Sequence, residues 1–219
     1  MEPVVNLLED RIRIGFVRAQ GIRIVPDFAF PDNRLKQLLE RRKQPLTETE
    51  DNFRKACRDM MRIGTYKPTG RGKPASEYLL RAASEGAFPR INTAADINNY
   101  LSLAYLAPIS LWDTDRVPAD SWLFRPGGEQ EEFVFNPSGQ TISLHDLATG
   151  FAVKDGQEIP VVTPVKDCQK TKTDPDTRNI AAAVYYPAGW TAAPALEDIL
   201  SEFTGLLKVV SDRTESGFF

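Results

Sequence analysis

Apolar and charged residues alternate at the start of the chain. Ile12, Ile14 and Phe16 are interleaved with Arg11 and Arg13, and Ile22, Ile24 and Val25 follow Gly21. A period of two predicts strands with one buried face. Gly15 predicts a bulge and Gly21 a turn. The period then lengthens. From Pro31, Leu35, Leu38 and Leu39 share a helical face that ends before Pro45. Thr47-Glu48-Thr49-Glu50 is a capping box. The helix behind it buries Phe53, Ala56, Cys57, Met60 and Ile63 and stops at Gly64. A short helix with Leu79, Leu80 and Ala83 closes at Gly86, and Asn92 is a natural N-cap for a helix striped by Ile97, Leu101 and Ala104. Strands are predicted at 121–124, 132–135, 159–165 and 180–186. They are separated by turn signals at Pro126-Gly127-Gly128, Pro137-Ser138-Gly139 and Asp155-Gly156. A last helix follows Pro194, with Leu196, Leu200, Phe203, Leu207 and Val210 at helical spacing, and the tail from Ser211 reads as frayed. No repeat or long linker divides residues 1–219. The predicted class is α+β, a single domain with a sheet-rich centre flanked by helices.

Composition narrows the function classes. The 219 residues are 42% hydrophobic and 26% charged, with a net charge of −3. That is ordinary for one globular domain. A protein that holds nucleic acid by bulk electrostatics is normally basic, so any RNA contact here must come from a local patch. No apolar run approaches membrane-spanning length and no signal peptide opens the chain, so no membrane partner is expected; no DNA partner is expected either, and two isolated cysteines point to a reducing cytoplasm. The two cysteines, Cys57 and Cys168, are isolated, and Cys57 lies on a core face. His145 is the single histidine. It reads as a surface or capping residue, and no metal-ligand spacing is present, so no metal or cofactor is expected.

Two polar clusters carry candidate chemistry. Residues 66–81 read Tyr-Lys-Pro-Thr-Gly-Arg-Gly-Lys-Pro-Ala-Ser-Glu-Tyr-Leu-Leu-Arg. Lys67, Thr69, Arg71 and Lys73 sit in a loop broken by glycine and proline, just before a helix that opens with Ser76 and Glu77. A helix start with free N–H groups and nearby cations predicts an anion cradle; a solvated helix entry is the plainer alternative. The spacing is not that of a P-loop. The second cluster is Lys166-Asp167-Cys168-Gln169-Lys170-Thr171-Lys172-Thr173, followed by Arg178. Lys170, Lys172 and Arg178 are read as completing a basic pocket with Lys73, Asp167 and Thr171 as hydrogen-bonding an amino group or a ribose hydroxyl, and Gln169 as a further binding candidate; a solvated loop is the alternative. Asp113 and Asp115 read as turn caps, and Trp112 and Trp122 as core.

A third segment adds a family. From Phe88 the chain reads Phe-Pro-Arg-Ile-Asn-Thr-Ala-Ala-Asp-Ile-Asn-Asn-Tyr, then Pro108 through Asp113 and Asp115. The ordered series Asn92, Asp96, Asn99, Tyr100, Pro108, Asp113 and Asp115 resembles the editing (B-three/B-four) domain of the phenylalanyl-tRNA synthetase β chain, over about residues 60–190. The Lys-Pro-Ala-Ser-Glu run resembles free-standing members of that family. The resemblance implies a β-sandwich-like central sheet with flanking helices. It also implies metal-free hydrolysis of the ester that joins a wrong amino acid to tRNA. Asn92, Asp96, Asn99 and Ser110 become candidate ligand residues, with the tRNA or aminoacyl-tRNA 3′ end, or an amino-acid-like small molecule, as partner.

This chain departs from the family at two positions. Ser110 stands where a histidine is common and Ala183 where a glutamate is common, so no catalytic residue is assigned. The motifs of an aminoacyl-tRNA ligase are absent. The expected function is a free-standing editing-like hydrolase acting in trans, with a non-catalytic binding module as the alternative. The site is expected to be one cleft shared by the 67–77 loop, the helix of Asn92, Asp96 and Asn99, the turn at Ser110 and the strand end at 167–170.

Overall fold

A computed structural model describes residues 2–26 and 28–219. Strands β1 (Val4–Asn6) and β2 (Ile12–Gln20) come first, then helices α1 (Arg34–Arg41), α2 (Glu48–Asp59), α3 (Ala75–Ser84) and α4 (Thr93–Tyr105). Strands β3 (Ile109–Asp113), β4 (Ser121–Pro126), β5 (Glu132–Val134), β6 (Thr141–Ser143), β7 (Ala148–Lys154), β8 (Gln157–Val162) and β9 (Asn179–Pro187) follow. Helix α5 (Leu196–Lys208) and strand β10 (Arg213–Phe218) complete the fold.

The strands form two four-stranded sheets, β1-β4-β7-β8 and β10-β2-β9-β3, and a separate β5-β6 hairpin. Among the described residues, β1 pairs in parallel with β4 and the other strand ladders are antiparallel. Along β2, β9 and β3 the rows Phe16–Ala183–Ser110 and Ile14–Tyr185 share one face. That face meets the other sheet. Trp112 of β3 packs on Phe16 at 5.7 Å and on Trp122 of β4 at 5.0 Å, and Tyr185 packs on Phe124 at 6.2 Å. The result is a sandwich glued by aromatic rings. Helices α2, α4 and α5 cover the opposite face of the second sheet. The fold is thus the α+β sandwich with flanking helices that the sequence predicts.

The local signals explain several elements. Thr47 Oγ1 accepts from Glu50 N while Glu50 accepts from Thr47 N at 2.9 Å, so both halves of the capping box form. Asn92 Oδ1 accepts from Ala95 N at 3.0 Å and starts α4. Gly21 turns the chain after β2 with φ +63°, and the Asp212 carboxylate fills the space a Cβ would need. Cys57 and Cys168 are buried and free.

Four expectations are corrected. Gly15 is no bulge: it lies in the regular β2–β9 ladder, where a Cβ would stand 2.8 Å from Leu196 and 2.9 Å from Leu200. Its role is to let α5 approach β2. Residues 22–25 leave the sheet: Ile22 N donates to Arg178 O, Arg23 N to Val210 O and Val25 N to Thr93 Oγ1. The stretch after Pro108 is not a turn but strand β3, buried along its whole length. The tail is not frayed: residues 213–218 pair with β2.

Candidate ligand cleft at the sandwich edge

β8 is one edge strand of the first sheet and β3 one edge strand of the second, and these two lie side by side. The loop that leaves β8 crosses this open edge. Thr163 N and Lys166 O close its first turn at 3.0 Å, and Thr163 Oγ1 caps it from inside. Ser110 Oγ on β3 donates to Thr163 O at 2.7 Å, and Ala75 N at the start of α3 donates to Pro164 O at 2.8 Å. These bonds bring the basic loop, β3 and the 163–173 loop into one place.

A cleft of about 760 Å³ opens here. Arg71, Tyr78, Phe135, Lys166 and residues 139–142 of the β5–β6 hairpin line it. The 66–73 loop is held in shape by two tyrosines: Tyr66 OH donates to Gly72 O at 2.8 Å, and Tyr78 OH to Gly70 O at 2.9 Å. The Lys166 ammonium sits 5.4 Å from the ring centres of both Tyr78 and Phe135. Burial, and then the nearby Lys172, lower its pKa. Lys172 Nζ donates to Phe135 O at 2.7 Å.

Next to Lys166, Asp167 occupies the junction of the two sheets. Burial pushes its carboxyl up to about 7, against the opposing pull of Ser110, the Leu111 N–H, Lys172 and Lys166. Tyr185, fully buried on β9, adjoins Asp167 and Ser110; its pKa is also raised, mainly by burial. Among the described residues its hydroxyl has no hydrogen-bond partner, and neither does Gln169 Oε1.

The predicted site residues separate into groups. Lys67, Thr69 and Arg71 are exposed, Lys73 is half-buried, and Arg71 reaches the cleft. Ser110 and Asp167 are neighbours at the junction of the sheets, outside the cleft lining, Gln169 is part-buried, and Lys170 is exposed. Asn92 is joined to the 163–173 loop's continuation through Nδ2 and Thr173 Oγ1 at 3.2 Å. The others are placed elsewhere. Asp96 is fully buried and accepts from Arg90 Nε and Ile91 N, each at 2.7 Å. It therefore faces its own helix entry, not Lys73 or Lys170. Asn99 is half-buried on α4 and does not line the cleft. Glu77 is paired with Arg58 (Oε1 to Nε 2.6 Å) and with Arg54, tying α3 to α2. Ser76 is buried with its hydroxyl unpaired. With Glu77 in the first turn and Pro164 O on Ala75 N, the α3 N-terminus is not an open anion cradle. Arg178 donates to Pro175 O and Thr177 O and lines a separate cavity with Arg23 and Asp212. Asp113 and Asp115 cap turns as expected: Asp113 accepts from Asp115 N at 2.8 Å, and Asp115 from Asn179 N at 3.0 Å.

Residues 57–193 match the sequence model of the B3/4 domain. The chain belongs to the B3/4 domain family. A comparison with curated proteins found no match. Among solved structures, it is similar to an N-terminal fragment of the phenylalanyl-tRNA synthetase β subunit from Pyrococcus horikoshii, at 11% identity and a TM-score of 0.43. The match covers 99% of this chain and 50% of that one, so the chain spans half the length of that structure. Within this B3/4 domain, the two positions that depart from the editing pattern are direct neighbours: Ser110 and Ala183 face each other across the β3–β9 ladder. No helix among the described residues is long and apolar enough to cross a membrane.

Among the described residues, Lys67, Arg71 and Lys73 have no ion-pair partner. If they contact phosphates, replacing Lys67 and Arg71 with alanine flattens the log–log salt dependence of tRNA binding by roughly 0.7–0.9 per contact. Gel-shift titration across salt concentrations measures this, and an unchanged slope would show a merely solvated face.

Proposed function

We propose that this B3/4 domain acts on the aminoacyl end of tRNA and hydrolyses the ester of misacylated tRNA in trans. The observation that carries this reading is the polarity of the cleft. Its lining is cationic and aromatic, with Arg71, Lys166, Tyr78 and Phe135, and Asp167, next to Lys166 in the chain, neighbours Ser110 and Tyr185. Its volume of about 760 Å³ falls within the range of ligand sites. Phosphates and the terminal adenosine suit the mouth, and a small polar amino-acid moiety suits the inner end. A positioned water attacks the ester carbonyl; the ester C–O bond breaks, releasing the amino acid and the ribose hydroxyl. Lys166, half-buried at the cleft, is the cation suited to stabilise negative charge on the carbonyl oxygen.

Deacylation of a panel of aminoacyl-tRNAs, Tyr-tRNA included, tests the reading. At least one member is expected to lose its amino acid well above the buffer rate. Release at the buffer rate across the whole panel would sink it. The pairing of Ser110 with Ala183 favours a second reading, a non-catalytic module that binds tRNA or an amino-acid-like ligand. Binding of aminoacyl-tRNA without turnover is its signature.

A further inference from the structure

The edges of the two large sheets are unequally covered. β8 and β3 lie against each other, and β1 is three residues long. β10, six residues long, is the outer strand of its sheet. Its register with β2 fixes which backbone groups it leaves open. Phe219 and Ile14 exchange both of their N–H···O bonds, each at 2.9 Å. Such bonded pairs alternate along an antiparallel ladder, so residues 213, 215, 217 and 219 spend their backbone groups on β2. The amides and carbonyls of Thr214, Ser216 and Phe218 point the other way, and among the described residues nothing pairs with them. An open row of this kind is a template for another strand, and proteins commonly guard it with proline, lysine or a bulge. β10 has none of the three.

We propose that β10 joins two copies of this chain, pairing antiparallel with β10 of the second copy about a twofold axis at Thr214. A twofold interface sets a strand against itself, so its sequence must be complementary to itself. With the axis at Thr214, Arg213 stands opposite the partner's Glu215, and Glu215 opposite the partner's Arg213. Opposite charges directly across an antiparallel ladder attract, and like charges there repel. An axis at Arg213 or at Glu215 sets like charges face to face. An axis at Ser216 leaves Arg213 opposite Phe219 and Glu215 opposite Gly217, with no charge answered. Charge therefore selects Thr214.

The side chains on both faces fit this register. Arg213 is exposed and pairs along the strand with its own Glu215, so in the dimer each carboxylate lies between two guanidinium groups. On the other face, Phe218 stands opposite Gly15, on the side of the sheet that α5 covers. Phe218 is exposed, and so is Val209, which ends α5 just before β10. With the axis at Thr214, each Phe218 runs towards the partner's Val209, and both apolar side chains leave water. The two four-stranded sheets that carry β10 become one sheet of eight strands, and the open row of Thr214, Ser216 and Phe218 is covered.

The test is sedimentation velocity of the full chain from about 1 to 100 μM, where a small interface is expected to associate. A concentration-dependent monomer–dimer equilibrium is the expected result. Arg213→Glu and Glu215→Arg each set like charges across the axis and are expected to weaken the dimer at least about tenfold. Mixed one to one, the two variants again oppose unlike charges, and the dimer returns. Thr214→Pro removes an outward amide and no bond of the β2 ladder, so a folded monomer is expected. A thermal melt shows that each variant is folded; if Glu215→Arg is not, Arg213→Glu and Thr214→Pro still decide. A wild-type chain that stays monomeric throughout overturns the inference. So does a dimer that survives Thr214→Pro and the charge reversals, or a mixture of the two folded charge variants that stays monomeric.

Discussion

Asp167→Asn is expected to raise the melting temperature at pH 8 and to leave it nearly unchanged at pH 4. The carboxyl moves from 3.8 to about 7 on folding because the loop after β8 holds it partly out of water. The fold therefore prefers the neutral form. Below pH 3.8 both folded and unfolded chains hold the proton, and the group's contribution is fully present. It is lost as pH climbs from 3.8 through about 7 and is gone above that. At about 1.4 kcal/mol per pH unit, this gap corresponds to roughly 4 kcal/mol. Asparagine carries no charge but still buries a polar amide, so a net gain of about 2 kcal/mol at pH 8 is expected. Melts of both proteins at pH 4, 6 and 8 measure it. A difference between them that does not grow with pH would place the carboxyl in ordinary solvent contact.

The second large effect is expected in the sandwich. Trp112 is fully buried, and its indole touches Phe16 in its own sheet and Trp122 in the facing one. Trp112→Ala empties the layer between the sheets, and large-to-small changes of this kind cost about 3–5 kcal/mol. For a chain of this length that lowers the melting temperature by roughly 10 °C. Urea unfolding gives the free energy directly. A loss below about 1 kcal/mol would mean that the sheets collapse together without the indole, against the rigidity expected of a packed interior.

Local chemistry was legible in the sequence; its tertiary destination was not. Thr47 and Glu50 announce α2 because both halves of a capping box lie within four residues. Asn92 announces α4 as a plain N-cap, its side chain accepting from the amide three residues on. Strand β10 was illegible because Arg-Thr-Glu-Ser-Gly shows no apolar alternation, and its order comes from the β2 ladder. Strand β3 was misread because Ile-Ser-Leu-Trp-Asp is buried on both faces and so lacks a period of two. Of the predicted binding residues, Arg71 lines the cleft, and Ser110 meets the loop after β8 through the Thr163 carbonyl. Asp96 was drawn into the predicted cleft by its motif. Its real partner, Arg90, is only six residues away, but nothing in the spacing reveals a side chain that folds back on its own helix entry. Tyr185 and the β5–β6 hairpin were overlooked for a related reason. A tyrosine within a strand reads as core, and the Pro-Ser-Gly turn reads as punctuation, until the sandwich places both beside the same loop.

Strand β2 has both of its neighbours at the far end of the chain, β9 on one side and β10 on the other. During synthesis it therefore leaves the ribosome long before either partner exists. The residues that match the B3/4 family, 57–193, include β9 but neither β2, α5 nor β10. A nascent chain that has just completed β9 can capture β2 from behind, yet Gly15 and the face around it stay bare until α5 arrives. Long-range pairing of this kind folds slowly and leaves an apolar strand open to wrong partners. The period in which such a chain is exposed to chaperones and to misassembly is set by the time needed to translate the final helix and strand.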